Sequence, residues 1–418
     1  MNEALRREPH YGLVSADPVA ALRNPHTIRE RSENILAAAR KGRSQWFTVD
    51  DTKLAHAAGI VAAVTRQRYP SLITPYHSRW RHFEAGGVDR LRELNFRLRG
   101  ATTFERATAQ IDLAVVSVLL DAGAGDAWRF TEAGTQQTLA RSEGLGVASF
   151  HMFMAGAFSS AADAPLRADA NGLQHIDLSA LARGFQVSES NPLVGLAGRA
   201  ALMQSLGKAL AARPDLFGAD GRPGALLNVL TAGGKRSVSA SEILAALLDG
   251  LSAIWPAGNA LNGQPLGDCW PHPHAGGGGG SAGWVPFHKL SQWLTYSLLE
   301  PFEWADIQVT GLDALTGLPE YRNGGLLIDT GVLVPKQAEV TSKPHLPSSE
   351  LIVEWRALTV ALLDELAPLV RSLLGKSAQE MPLACILEGG TWAAGRVRAQ
   401  ELRGGLPPIQ IISDGTVF

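Results

Sequence analysis

The chain has 418 residues, 45% of them hydrophobic and 19% charged, which suits a sizeable buried core and excludes a disordered chain. Its 38 Lys and Arg against 40 Asp and Glu leave a net charge of −2, which argues against a general binder of nucleic-acid polymers or acidic membranes. Two cysteines, Cys269 and Cys385, exclude a disulfide framework and any multi-cysteine zinc or iron–sulfur centre. The opening MNEALRREPH lacks the apolar stretch of a secretory signal. The longest weakly polar stretch, residues 144–158, falls short of the ~20 residues that span a bilayer, and it carries His151. The expectation is a cytoplasmic protein of a reducing compartment, away from membranes.

The apolar spacing is mostly helical. Residues 26–41 read as a helix stopped by Gly42, and residues 51–68 as a second, with Leu54, Ala58, Val61 and Val64 on one face. Thr102 and Glu105 have capping-box spacing before a helix that runs to Asp121. Asn191-Pro192 reads as a cap and first turn of a helix reaching Ala212. Ser239 and Glu242 repeat the capping box before a helix ending near Pro256. Residues 286–299 and 349–374 are also predicted helical, with Pro368 kinking or dividing the latter. Strand signals are sparse, the best being residues 324–334 and 408–413. The pattern predicts a mainly α protein with minor β elements, in which residues 1–20 are an N-terminal extension and 21–418 one large helical domain. Within it, residues 271–283 (PHPHAGGGGGSAG) are predicted to be a flexible loop, because five successive glycines cannot hold a helix or strand economically. Such a loop could also act as a lid on a site. The apolar terminal Phe418 suggests a docked C-terminal tail.

No P-loop, nucleophile elbow, kinase set, HExxH or EF-hand loop occurs. His272, His274 and His288 with Cys269 could suggest a metal, but His272 and His274 read as exposed in the Gly/Pro loop, so no metal is expected there. Four constellations could carry chemistry. In YHSRWRHF, His77, Arg79, Arg81 and His82 alternate with aromatics including Trp80, which suits an anion pocket with a stacking surface, or equally an amphipathic segment. In LPEYRNGG, Glu320, Tyr321 and Arg322 lie side by side in a turn that leads to Asp329; turns can expose catalytic groups, but the residues alone favour an ordinary surface turn. In ELIVEWR, Glu350 and Glu354 share a helix face, and Glu354 or Arg356 could point into a site. In EGGTW, Glu388 precedes two glycines, Trp392 and Arg396, so the backbone could approach an anion at a helix start.

At YHSRWRHFEAGG, LPEYRNGGLLIDTGVLVP, SSELIVEWRALTV, LEGGTWAAGR and PPIQIISDGTVF, the chain resembles the uracil catabolism protein 4 family, over nearly its whole length. The resemblance implies a place in uracil degradation, on a route in which uracil becomes its nucleotide, the ring opens and urea is released. LTGLPEYRNGGLLIDTGVLV and ELIVEWRALTVALLDEL are also similar to segments of queuosine-salvage nucleotide glycosidases. This fainter resemblance implies a helical body related in shape to DNA glycosylases and cleavage of the N-glycosidic bond of a nucleoside 5′-phosphate. By position, Glu320 stands where those proteins carry the catalytic aspartate, one methylene longer. The expected activity is an N-ribosidase that acts on ribosylurea 5-phosphate or UMP, with a small nucleotide or ribosyl phosphate as partner and no cofactor. Glu320 is the expected catalytic carboxylate and Asp329 the reserve acid. Tyr321 and Arg322 would orient the carboxylate or ribose, and Arg79, Arg81 and His82 would meet the phosphate. Glu354, Arg356, Glu388, Trp392 and Arg396 are further candidates for substrate binding. The alternatives are a non-catalytic nucleotide-binding or accessory protein of the same route and, more weakly, a metal-dependent amidohydrolase.

Overall fold

The computed structural model describes residues 17–121, 123–255 and 258–412. The N-terminal sixteen residues, Pro256 and the Ser413–Phe418 tail expected to dock lie outside the described residues. Ten principal helices build the body: α1 Pro25–Arg40, α2 Leu54–Arg68, α3 Thr103–Leu119, α4 Arg141–Met154, α5 Leu196–Ala212, α6 Ala240–Leu251, α7 Lys289–Trp304, α8 Tyr321–Asp329, α9 Glu350–Leu374 and α10 Trp392–Arg403. Short helices and turns lie between them, and the described strands form two-stranded pairs only. The protein is mainly α, as the periodicity predicts. One buried apolar cluster extends from Ile28 to Ile409. α9 packs on α1, α2 and α8 within it, and α3 packs on α7.

Both capping boxes form. Thr102 Oγ1 accepts from the Glu105 N–H at 3.2 Å while the Glu105 carboxylate accepts from the Thr102 N–H at 2.7 Å. Ser239 and Glu242 make the same exchange at 3.1 and 2.8 Å. Each exchange satisfies two N–H groups that a helix start leaves without partners. Helix α6 stops at Leu251 and a 3₁₀ turn, Ser252–Ile254, follows.

Other expectations need correction. Residues 324–334 are not a strand: they divide between the end of α8 and a strand, Leu333–Pro335, paired with Phe47–Val49. The apolar run LLID belongs to a helix because Glu320 caps it and its glycine face packs on α9. A Cβ at Gly324 would lie 2.8 Å from the Trp355 indole. Helix α5 starts at Leu196 rather than at Asn191-Pro192, because the Asn191 amide is taken up by the Arg129 backbone and the Gln186 carbonyl. Residues 284–286 are a strand, so the helix expected from 286 begins at Lys289. α9 continues through Pro368 undivided. The predicted C-terminal strand shortens to Gln410–Ile411, parallel to Pro344–His345.

The glycine segment is a packed connection. It joins the strands Cys269–Pro271 and Trp284–Pro286, and the His272 N–H closes onto the Gly283 carbonyl at 2.8 Å. Gly277, at φ +87°, lies directly on the Arg31 guanidinium, which leaves no room for a Cβ. His272, expected in solvent, is 2% exposed and lies 3.4 Å from the Glu354 carboxylate. The segment does not line the cavity described below. Among the described residues no helix is long and apolar enough to cross a membrane, and no group of three His, Cys, Asp or Glu could hold a metal ion.

Candidate functional site

A cavity of about 460 Å³ opens where several helices begin. Arg141, Ser142 and Glu143 come from the start of α4, Lys289 and Leu290 from the start of α7, and Glu320, Tyr321 and Arg322 from the start of α8. Trp392, where a π-helical turn continues into α10, joins them. At α7 and α8 the Asp268 and Glu320 carboxylates take first-turn N–H groups, whereas α4 begins without a side-chain cap and presents the positive end of its dipole, which favours an anionic ligand there. Ala140 supplies no capping oxygen to α4. Arg141 itself has φ +54°, and His288, just before α7, has φ +46°. A non-glycine residue in this region is strained by about 1–2 kcal/mol, and such strain collects at functional sites.

Glu320 lines the cavity. Its carboxylate accepts the Arg322 N–H at 2.7 Å and the Asn323 N–H, so both oxygens are fixed by the first turn of α8. The turn before it is tied to α7: Gln292 Oε1 accepts the Thr316 N–H at 3.1 Å, and Tyr296 donates its hydroxyl to the Thr316 carbonyl at 2.9 Å. Burial raises the Glu320 pKa, against the backbone N–H groups and the nearby Lys289 charge. Burial and the Arg356 charge lower the Lys289 pKa, against the pull of Glu320 and Asp268.

A second carboxylate, Glu388, lines the same cavity from a π-helical turn, Leu387–Thr391. It accepts from Arg68 at 2.8 Å, from the Tyr69 hydroxyl at 3.0 Å, and pairs with His77 Nδ1 at 2.8 Å. Burial alone would raise its pKa, but the hydrogen bond and charge of His77, with Arg68, hold it below the usual range. The turn is possible because both glycines press on α2, where a Cβ at Gly390 would lie 2.5 Å from the Val61 carbonyl oxygen. Trp293 forms an aromatic wall, with the His77 and His82 rings 6.4 and 5.7 Å from it. Burial, together with the charges of Arg79, His77 and Arg81, pushes the His82 pKa well down, so its ring is neutral.

The family described as "Protein of unknown function (DUF1688)" matches residues 21–418. The chain belongs to this family. It is 39% identical over 415 residues to "Protein urg3" of Schizosaccharomyces pombe, covering 97% of this chain and 100% of that one. It is 36% identical over 441 residues to "Uracil catabolism protein 4" of Lachancea kluyveri, covering 96% of this chain and 99% of the other.

Of the residues singled out in the sequence, His77, Arg81, His82, Glu320, Tyr321, Arg322, Glu388 and Trp392 line the cavity together. The others do not line it. Arg79 is buried behind the wall, 3.1 Å from Asp121 and hydrogen-bonded to Ser117. Trp80 is core, with its indole N–H on the Ser297 carbonyl at 2.8 Å. Asp329 pairs with Arg403 at 2.6 Å. Glu354 is buried with Ser44 and His272. Arg356 grips Asp268 with two bonds of 2.8 and 2.7 Å. Arg396 bonds Glu143 at 2.8 Å on the rim and stacks over Trp392. Sequence reasoning missed Arg68, Asp121, Arg141, Lys289 and Trp293. Lys289 and Trp293 fell inside a predicted helix, and no local pattern marks which of its faces lines a cavity.

Proposed function

We propose that the cavity is the active site of an N-ribosidase acting on a ribosyl 5-phosphate, with ribosylurea 5-phosphate as first candidate and UMP as second. The observation that carries this reading is Glu320, a carboxylate immobilised by two backbone N–H groups inside a cavity where α4, α7 and α8 begin. The name of the Lachancea kluyveri relative supports uracil catabolism as the setting.

Breaking a C1–N bond places positive charge on the ribose ring, and a fixed carboxylate beside it stabilises that charge without reorganising. Glu320 fits that role and that of the base that takes a proton from the attacking water. Acid–base assistance of this kind is worth ~10²–10⁴-fold, about 3–5 kcal/mol of barrier. The phosphate belongs at the start of α4, where the Arg141 side chain lines the cavity and forms no ion pair or hydrogen bond among the described residues. This moves the phosphate away from Arg79, which is held by Asp121, and Arg81, which is held by Glu300 at 2.7 Å and Glu84 at 3.2 Å. Trp293, Trp392 and Tyr321 offer faces for the sugar and leaving group.

A second reading, a non-catalytic nucleotide-binding protein, draws on the same carboxylate, because capping α8 is a sufficient structural reason for Glu320. Incubating purified protein with ribosylurea 5-phosphate and with UMP, then quantifying urea, uracil and ribose 5-phosphate, separates the two. Release of ribose 5-phosphate with urea or uracil is expected. Tight binding of both compounds with no product would select the binding protein.

A further inference from the structure

On the glycosidase reading, Glu320 provides for the sugar and the water but leaves the departing nitrogen without a proton. We propose that His77 is the general acid that protonates the leaving group, and that Glu388 is its positioning residue.

Three observations carry this. His77 is fixed at both ends: its backbone N–H donates to the Ala384 carbonyl at 3.0 Å, and its Nδ1 meets Glu388 at 2.8 Å. Its other nitrogen, Nε2, has no hydrogen-bond partner among the described residues, and the residue lines the cavity. The ring lies near two indoles, Trp293 and Trp392, each 6.4 Å away, which shield it from bulk water. Glu388 stays ionised in this setting, because Arg68 and the Tyr69 hydroxyl share its carboxylate. A carboxylate accepting from Nδ1–H orients the ring and stabilises its imidazolium form, in which Nε2 carries the proton to be given up. The π-helical turn that delivers Glu388 is an irregularity frequent at functional sites. A salt bridge to Arg68 would by itself explain a buried Glu388, but not a cavity-lining histidine whose second nitrogen has no partner among the described residues. Of the other groups nearby, His82 is held neutral by burial and the surrounding cations, and Asp121 is paired with Arg79.

In the step itself, the C1–N bond breaks and its electron pair leaves with the nitrogen. The His77 Nε2 proton passes to that leaving group, which departs neutral as urea or uracil. A water oxygen bonds to C1 and its proton passes to Glu320. Proton exchange with solvent then restores both residues.

The test compares two leaving groups in the full-length protein. Ribosylurea 5-phosphate needs a proton to release its nitrogen, whereas the nitrophenolate of 4-nitrophenyl β-ribofuranoside 5-phosphate leaves as an anion. For His77→Gln, kcat on ribosylurea 5-phosphate is expected to fall ~10²–10⁴-fold while nitrophenolate release stays within about threefold of wild type. Glu388→Gln should lower kcat on ribosylurea 5-phosphate in the same selective way, with KM unchanged, as expected of a positioning residue. Glu320→Gln should lose both activities, which separates the two roles. Equal losses on both substrates in folded His77→Gln and Glu388→Gln, or no loss on either, would overturn the assignment. Should His77→Gln fail to fold, Glu388→Gln alone decides by the same comparison. Wild-type protein that releases product from neither compound would overturn the glycosidase reading, and the role of His77 with it.

Discussion

Gly395 on α10 connects packing to the site, and its replacement by alanine tests that connection. A Cβ built there lies 2.1 Å from the Arg322 carbonyl oxygen, where 3.4 Å begins ordinary contact, a deficit of more than an ångström. The obstacle is backbone in the first turn of α8, two residues from Glu320, so no flexible side chain can swing away. Either α10 retreats or the turn holding Glu320 shifts. Overpacking of this kind costs about 1–3 kcal/mol, and the better helix propensity of alanine returns only up to about 1 kcal/mol. A net loss of about 1–2 kcal/mol in urea denaturation is expected. A shift of ~1 Å at a catalytic carboxylate should also lower kcat ~10²-fold. Gly59 in α2 is the control: a Cβ there meets nothing within 4 Å, so Gly59→Ala should stabilise by about 0.5–1 kcal/mol and leave turnover unchanged. Gly395→Ala protein as stable and active as wild type would refute the claim that this crossing sets the position of α8.

If Arg141 holds the phosphate as proposed, Arg141→Ala should raise KM for the phosphorylated substrate about 10–100-fold with little change in kcat, because it would remove a charge-assisted contact made equally in ground and transition states. Steady-state kinetics checks this, and an unchanged KM would move the phosphate elsewhere in the cavity. The hydrogen bonds from Arg90 hold the buried Glu132 down to about 2, against burial and with help from Thr135 and His151. The folded state then binds fewer protons than the unfolded one, so this contribution is complete at neutral pH and fades as pH falls from about 4.5 toward about 2. Denaturation midpoints of wild type and Glu132→Gln should therefore converge as the solution is acidified.

How far the sequence predicts the molecule depends on the range of the interactions involved. Thr102 with Glu105 and Ser239 with Glu242 act over three residues, so both helix starts could be read from spacing. The α8 region could not. Gly-Gly followed by Leu-Leu-Ile reads as a strand locally, and the deciding contacts come from Trp355 and α10, distant in sequence. The same applies to the site. Glu320, Tyr321 and Arg322 are adjacent and announce themselves, and His77 and Glu388 lie in conspicuous aromatic and glycine-rich segments. Their pairing across 311 residues is visible only in the fold. Asp329 and Arg356 looked equally chemical in the sequence, but Arg403 and Asp268 occupy them as ion-pair partners. Arg141 sits in an unremarkable stretch, and its backbone conformation and cavity position follow from how α4 begins.

The most direct test of the account is to measure binding and turnover separately in Glu320→Gln. The glutamine keeps the shape and one acceptor oxygen, at the cost of one cap hydrogen bond, about 1 kcal/mol. With ribosylurea 5-phosphate, calorimetric binding should stay within about tenfold of wild type while single-turnover release of ribose 5-phosphate falls by ~10²–10⁴. Wild-type release rates in a folded variant would contradict the assignment of Glu320 and return it to the role of a helix cap.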